Sequence, residues 1–328
     1  MKIAFFGTKD YDRIYFEKQS KHEIHFFKPK LSEETAILAK GFEGVCVFVN
    51  DDLSKETLQL LKDNDVKYIL LRCAGYNNVD MEKANELGFV VARVPSYSPE
   101  AVAEHAMTLA MAANRRIHKA YNKVRDNDYS LVGLSGKNLY QKVAGIVGTG
   151  KIGIAMIRLC KGFGMEVIAY DPYPNRELAK EVGFDYVSFD ELLERSDLIS
   201  LHCPLTETTQ HIIYKDTINQ MKRGVILVNT SRGGLINTED LITGIKYNKF
   251  HAVALDVYEE ESDLVFEDHS NSILEHTTTA RLLSFPNVIL TSHQGFFTEE
   301  ALESIAKTTL ENATKLENKT FCENIVKQ

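Results

Sequence analysis

Gly148, Gly150 and Gly153 stand at G-x-G-x-x-G spacing in mid-chain, between the apolar run Val143–Val147 and the helical pattern of Ile154–Lys161. Three glycines so spaced are common in turns, and alone they constrain little. In this setting they constrain a great deal. A strand that feeds a tight glycine turn and then a helix gathers backbone N–H groups and the positive end of the helix dipole at one point, which suits a pyrophosphate. Asp171 lies 23 residues beyond Gly148, at the end of the apolar run Glu166–Tyr170. From there a carboxylate can accept from both hydroxyls of a ribose. The segment reads as a dinucleotide site.

The surroundings of this loop set the architecture. The first hundred residues alternate short apolar runs (Lys2–Phe6, His22–Phe27, Gly44–Val49, Lys67–Leu71, Phe89–Val91) with amphipathic stretches such as Ser54–Asn64 and Asp80–Leu87. Those stretches open on Ser or Asp, good helix N-caps. Such alternation predicts a parallel sheet covered by helices. A second alternation begins at Lys142, with strands expected at Val143–Val147, Glu166–Tyr170, Leu198–Leu201, Val225–Asn229, Ala252–Leu255 and Val288–Thr291. A last amphipathic helix, about Thr298 to Leu316, follows. Because the glycine loop comes after a complete α/β unit, the second domain is expected to be inserted into the first, with the last helix returning to it. Between the two, Glu100 to about Arg125 is Ala-rich and free of Gly and Pro, which predicts one helix of about seven turns. Apolar positions nearly surround it through Met111. A linker between domains, a subunit interface and a helix buried inside one domain all fit that pattern.

A length of 328 residues suits two domains at roughly 150 residues each. No apolar run approaches the ~18 residues of a membrane span, and Met1–Phe6 reads as a first strand, not as an export signal. The net charge of −8 disfavours nucleic acid and anionic membrane as partners. Five scattered cysteines with no Cys-x-x-Cys suggest a reducing cytoplasm and give no metal site and no disulfide framework.

Three further strand ends carry chemistry. Ser231-Arg232-Gly233-Gly234 follows one apolar run, Asp256-Val257-Tyr258-Glu259-Glu260-Glu261 another, and His293 a third. Taken singly, Arg232 reads as a surface arginine, the acidic run as a solvated loop and His293 as a structural histidine. Together they deliver Arg, Glu and His to the edge that holds the glycine loop, where doubly wound sheets bind their ligands. Arg232 can clamp a carboxylate bidentately.

With these residues assembled, the chain resembles the D-isomer-specific 2-hydroxyacid dehydrogenases over nearly its whole length. The resemblance rests on Gly148–Gly153 with Asp171, His202-Cys203-Pro204-Leu205-Thr206, Asn229-Thr230-Ser231-Arg232-Gly233, Asp256-Val257-Tyr258-Glu259 and His293. Arg72–Asp80, Val94–Glu100 and Ser292-His293-Gln294-Gly295-Phe296 are similar, more narrowly, to the fermentative bacterial D-lactate dehydrogenase branch. The resemblance implies an α/β fold of two doubly wound parallel-sheet domains, a Rossmann NAD-binding domain at 100–295 inserted into a flavodoxin-like substrate domain at 1–99 plus 296–328. It implies NAD as cofactor, no metal, reduction of pyruvate to D-lactate, and a cytoplasmic homo-oligomer, dimer or tetramer, built through the nucleotide domain. A broader 2-keto acid reductase and, more remotely, an NADH-sensing binding protein are the alternatives.

By position, the family's roles fall on His293 as acid and base, Arg232 as substrate clamp, and Glu261, 29 residues after the arginine, as the acid holding His293 protonated. Backbone N–H groups at Ala74 and Gly75 would take the substrate carboxylate. Tyr97 and Phe296 would line the pocket beside the substrate methyl, although ordinary core packing explains either ring equally well. The cofactor contacts implied are Gly148, Gly150, Lys151, Ile152, Gly153, Asp171, Cys203, Pro204, Thr209, Thr230, Ser231, Arg232 and Asp256, the last near the carboxamide. Asn237 departs from the family's usual acid and reads as a helix cap.

Overall fold

The computed structural model describes residues 1–261, 264–273 and 277–326. The chain divides into two compact units, Met1–Ser98 with residues 297–328, and Pro99–Phe296.

The first unit carries a five-stranded parallel sheet of β1 (Lys2–Phe5), β2 (Glu23–Phe26), β3 (Gly44–Val47), β4 (Tyr68–Leu71) and β5 (Val90–Ala92), in the order β2-β1-β3-β4-β5. Helices α1 (Asp10–Gln19), α2 (Lys55–Asp63) and α3 (Met81–Glu86) connect them. This is the flavodoxin-like order, with its switch point between β1 and β3. Beyond their first residues the central strands are buried, as Ile69, Leu70 and Leu71 of β4 show, which fits a sheet covered on both faces.

The second unit opens on α4 (Pro99–Asn114) and α5 (Ile117–Arg125). Its sheet then forms from β6 (Val143–Val147), β7 (Glu166–Tyr170), β8 (Asp185–Tyr186), β9 (Leu198–Leu201), β10 (Val225–Asn229), β11 (Phe250–Leu255) and β12 (Val288–Leu290). Between them run α6 (Lys151–Gly162), α7 (Arg176–Val182), α8 (Phe189–Arg195), α9 (Lys215–Gln220), α10 (Thr238–Lys246) and α11 (Thr277–Ser284). All pairings are parallel, in the order β12-β11-β10-β9-β6-β7-β8. The order reverses between β6 and β9, the Rossmann switch point. On one face the alanines Ala103, Ala106, Ala110 and Ala113 of α4 let it lie close against α6 and the sheet. The other face is closed by α8, α9 and α10, with Leu192, Ile218 and Leu241 buried in its core.

From there α12 (Glu299–Glu317) joins the first unit. The Thr298 hydroxyl caps it by accepting from Ala301 N–H at 3.2 Å, and Glu299 and Glu300 suit its positive end. Its face of Ala306, Leu310, Ala313 and Leu316 packs into the core around Phe5, Phe16 and Leu70. Among the described residues, no helix is long and apolar enough to cross a membrane.

Two expectations need correction, and one strand is additional to them. The helix expected from Glu100 to about Arg125 is broken at Arg116, whose φ of +56° is left-handed. No glycine or proline marks the break; tertiary bonds impose it. The Asn114 amide exchanges two hydrogen bonds with the Lys137 backbone, and Arg116 Nη2 donates to His251 C=O at 2.9 Å. The two halves then part company, since α4 is buried within the second unit while α5 buries no residue. Pro99 and Phe296, expected in the first unit, fall in the second. Pro99 is the first residue of α4, a position that needs no N–H, and Phe296 packs edge-on against Phe266. The two-residue strand β8 was not foreseen, for it has no apolar run to announce it.

Candidate active site

At the β6–α6 turn each glycine has a different reason. A Cβ on Gly148, at φ +92°, would lie 2.7 Å from the Cys203 backbone nitrogen, because the turn sits against the end of β9 at the switch point. A Cβ on Gly153 would meet Gly148 C=O at 2.0 Å, so helix and turn touch backbone to backbone. Gly150 faces open space. No side chain caps α6 there, which leaves the first-turn N–H groups of Lys151, Ile152 and Gly153 to an outside acceptor. At the end of β7, Asp171 Oδ2 accepts from Thr149 N–H (2.7 Å) and hydroxyl (2.9 Å), and Oδ1 from Tyr173 N–H (2.9 Å). The Thr149 hydroxyl also contacts Tyr186 Oη at 2.8 Å. The carboxylate is thereby fixed in orientation, and each oxygen keeps acceptor capacity.

Beyond β9, Cys203 is a buried thiol pushed up to about 11 by that burial, hence neutral, and Pro204 is exposed. The Thr209 hydroxyl closes their turn by donating to Pro204 C=O at 2.7 Å. Ser231 Oγ donates to Cys203 C=O at 2.7 Å, tying the ends of β9 and β10. Thr230 Oγ1 is buried and has no partner among the described residues, an orphaned polar group beside the switch point. Open space at Gly150, the uncapped helix start, the orphaned Thr230 hydroxyl and the fixed Asp171 carboxylate together fit a bound dinucleotide.

Arg232 stands in extended conformation just past β10, held by Asn229 Nδ2, which donates to its C=O at 2.8 Å. A Cβ on Gly233 would fall 2.2 Å from the Tyr258 carbonyl carbon, so the arginine's turn is pressed directly onto the acidic loop after β11. In that loop the three glutamates part. Glu259 accepts from His211 Nε2 and from both N–H and hydroxyl of Thr238. Burial raises its carboxyl, but the bonds from Thr238 and His211 outweigh it and hold the group below the ordinary range. Glu260 accepts from the hydroxyls of Thr278 and Thr279. Only Glu261 reaches the histidine, with Oε1 at 3.1 Å from His293 Nδ1, while its Oε2 accepts from Tyr258 N–H at 3.2 Å. Both side chains of the pair are about one-fifth exposed. With Nδ1–H directed at the carboxylate, Nε2 is left to face a ligand.

His293 follows β12, and its N–H donates to Asp256 C=O at 2.8 Å. Asp256, expected near a carboxamide, is 1% exposed, and its side chain bonds to Thr291, Gln294, Gly295 and His105. The sequence reading passed over Phe266, whose ring centroid lies 6.2 Å from those of both His293 and Phe296. It sits in an acidic loop with no periodic pattern, so nothing in the sequence singles it out. Arg232, Glu261 and His293 thus follow three adjacent strands, β10, β11 and β12, spaced about 5 Å apart.

The first unit places Ala74 and Gly75 just after β4, and Tyr97 after β5. Arg93 Nη1 donates to Ala74 C=O at 2.7 Å and Cys73 Sγ to Gly75 C=O at 3.2 Å, which fixes the turn through its carbonyls. Among the described residues nothing accepts from the N–H groups of Ala74 and Gly75.

The model for the D-isomer specific 2-hydroxyacid dehydrogenase NAD binding domain matches residues 107–295. The chain belongs to the D-isomer specific 2-hydroxyacid dehydrogenase family. As a member it is an NAD-dependent oxidoreductase acting on a 2-hydroxy acid, and the second unit is its NAD-binding domain. Over 327 residues, 99% of each chain, it is 50% identical to the D-lactate dehydrogenase of Escherichia coli strain K12. The apo-structure of D-lactate dehydrogenase from Escherichia coli matches it with a TM-score of 0.91 at 48% identity, covering 100% of both chains. The pyruvate reductase of Chlamydomonas reinhardtii matches with a TM-score of 0.92 at 40% identity, covering 99% of this chain and 98% of that one.

Proposed function

We propose that this dehydrogenase interconverts pyruvate and D-lactate, with NADH as the reductant of the forward reaction. The observation that carries the mechanism is the His293–Glu261 pair, formed while Glu259 and Glu260 are committed elsewhere. Reduction of a 2-keto acid consumes one hydride and one proton. The hydride comes from C4 of the reduced nicotinamide when NADH is bound. The proton comes from His293: Glu261 fixes the ring through Nδ1, so that Nε2–H can protonate the keto oxygen as it gains charge. In the reverse direction the neutral ring takes that proton back. Arg232 presents a planar fork to the substrate carboxylate and polarises the adjacent carbonyl. Phe266 and Phe296 give the neighbourhood of His293 an apolar side that suits a methyl group. The first unit's own candidates are the free N–H groups of Ala74 and Gly75, suited to a carboxylate, and the Tyr97 ring.

For NAD, the first turn of α6 would take the pyrophosphate and Asp171 the ribose hydroxyls, which disfavours a 2′-phosphate by charge. Cys203, Pro204, Thr209, Thr230, Ser231 and Asp256 are assigned to the same cofactor, chiefly through their backbone. A homo-oligomer is supported by α5 and the segment after it, where Tyr121, Tyr129, Leu131 and Val132 are 60–83% exposed. Buried free cysteines, five among the described residues, support a reducing, cytoplasmic setting.

The test is turnover of pyruvate with NADH, followed by chiral analysis of the product, with 2-ketoisocaproate and hydroxypyruvate as competitors. D-lactate formed with higher kcat/KM than either competitor's product is expected. L-lactate, or preference for a larger keto acid, would overturn the assignment.

A further inference from the structure

Asp256 closes β11, and the turn that carries His293 hangs on it. Its own C=O accepts from His293 N–H at 2.8 Å. Oδ1 accepts from Gln294 N–H at 2.9 Å and from the Thr291 hydroxyl, and Oδ2 from Gly295 N–H at 2.8 Å. The turn needs this hold, because His293 has a φ of +50°, a left-handed conformation that residues with a side chain rarely adopt. One more donor reaches the carboxylate, and it comes from neither the turn nor its strands. His105, on α4, lies with Nε2 3.2 Å from Asp256 Oδ1 and 3.3 Å from the Thr291 hydroxyl oxygen. Its ring also covers the turn: Cδ2 stands 3.5 Å from where a Cβ on Gly295 would be. A carboxylate only accepts, so Nε2 carries the hydrogen of this bond. Burial pushes the Asp256 carboxyl up, and the bonds from His105 and Thr291 outweigh it and bring it below the ordinary value.

We propose that His105 is a positioning residue for His293: its Nε2–H completes the donor set on Asp256, and through Asp256 it fixes the turn on which the proton-donating ring is carried. The inference rests on the reading of His293 as acid and base. It assigns α4 a part in the chemistry that its apolar, Ala-rich sequence does not suggest. A displaced turn moves the His293 ring while Arg232 and the first turn of α6 stay in place, so the effect falls chiefly on kcat.

The experiment compares His105→Phe with His105→Gln, whose amide N–H can reach the position of Nε2. In His105→Phe, kcat for pyruvate reduction is expected to fall about tenfold. KM for pyruvate and the NADH Kd, read by fluorescence, stay within about twofold. His105→Gln is expected to recover kcat to within about threefold of wild type. In an Asp256→Asn background, His105→Phe should add little, since the two act in series. Should His105→Phe fail to fold, His105→Asn, a donor too short to reach, replaces it and is expected to lose kcat relative to Gln. Unchanged kcat in His105→Phe, or equal losses in Phe and Gln, would overturn the inference alone. A wild type inactive on every 2-keto acid would overturn the reading of His293 and this inference with it.

Discussion

Glu259, Glu260 and Glu261 are identical in chemistry and consecutive in sequence, yet each has its own partners, and their variants should separate accordingly. Glu259→Gln weakens the bonds to Thr238, the first residue of α10, and to His211. A loss of about 1 kcal/mol there would lower Tm by roughly 2–4 °C with turnover nearly unchanged. Glu261→Gln should do the opposite, with kcat/KM down about 10- to 100-fold and Tm little altered. Steady-state kinetics beside thermal melts decides between them. His202 makes a second prediction. Burial depresses its ring to about 4, and among the described residues its Nε2 bonds only to Ser200 Oγ, at 2.8 Å. The unfolded ring titrates near 6.5. Below that pH the unfolded chain takes up a proton the native state refuses, so the stability contributed by neutral His202 is lost as pH falls from about 6.5 toward 4. In urea melts, the gap between wild type and His202→Gln should therefore narrow between pH 7 and pH 5; a constant gap would refute it. At this scale the sequence was a partial guide. Arg232, Asp171 and His293 stand at strand ends that apolar runs made visible. Phe266 and His105 did not, because a ring in a loop and a lone histidine on an Ala-rich helix acquire meaning only from what packs on them.

The β6–α6 turn is the element whose sequence and geometry agree most closely, and its glycines make a paired prediction. Gly153→Ala drives a methyl into Gly148 C=O, so it should cost several degrees of Tm and weaken NADH binding together. Gly150→Ala meets no atom within 4 Å, at an ordinary φ of −66°. It should leave Tm unchanged and raise the NADH Kd about tenfold or more, by keeping a pyrophosphate off the helix start. A parallel loss of Tm in both variants would mean that the turn is structural only. Elements elsewhere were legible where burial writes a pattern. Runs such as Val225–Asn229 became strands because both faces of the sheet are covered, and Asn237 caps α10 by accepting from Asp240 N–H at 3.0 Å. The division between α4 and α5 was not legible. It is imposed by Lys137 and His251, which are distant in sequence, on a segment whose local propensity is helical throughout.

For the whole molecule, exposed apolar residues on α5 and the following segment predict self-association. A Tyr121→Glu, Leu131→Asp double variant should show a smaller mass than wild type by light scattering, with near-native circular dichroism. Equal masses at micromolar concentration would count against this face. The two-unit plan itself could be read from the position of the glycine loop after a complete α/β alternation, whereas the limits at Pro99 and Phe296 needed the packing around them. The plan also has a consequence for synthesis. The core around Phe5, Phe16 and Leu70 is completed by α12, and β5 is joined near the far end of the chain, where Val326 N–H donates to Val91 C=O. About 200 residues separate the two parts of this unit. At 5–20 residues per second, the ribosome takes roughly 10–40 s to make them. The unit translated first is thus the last to be finished, and for that interval its open apolar face is what a chaperone would meet.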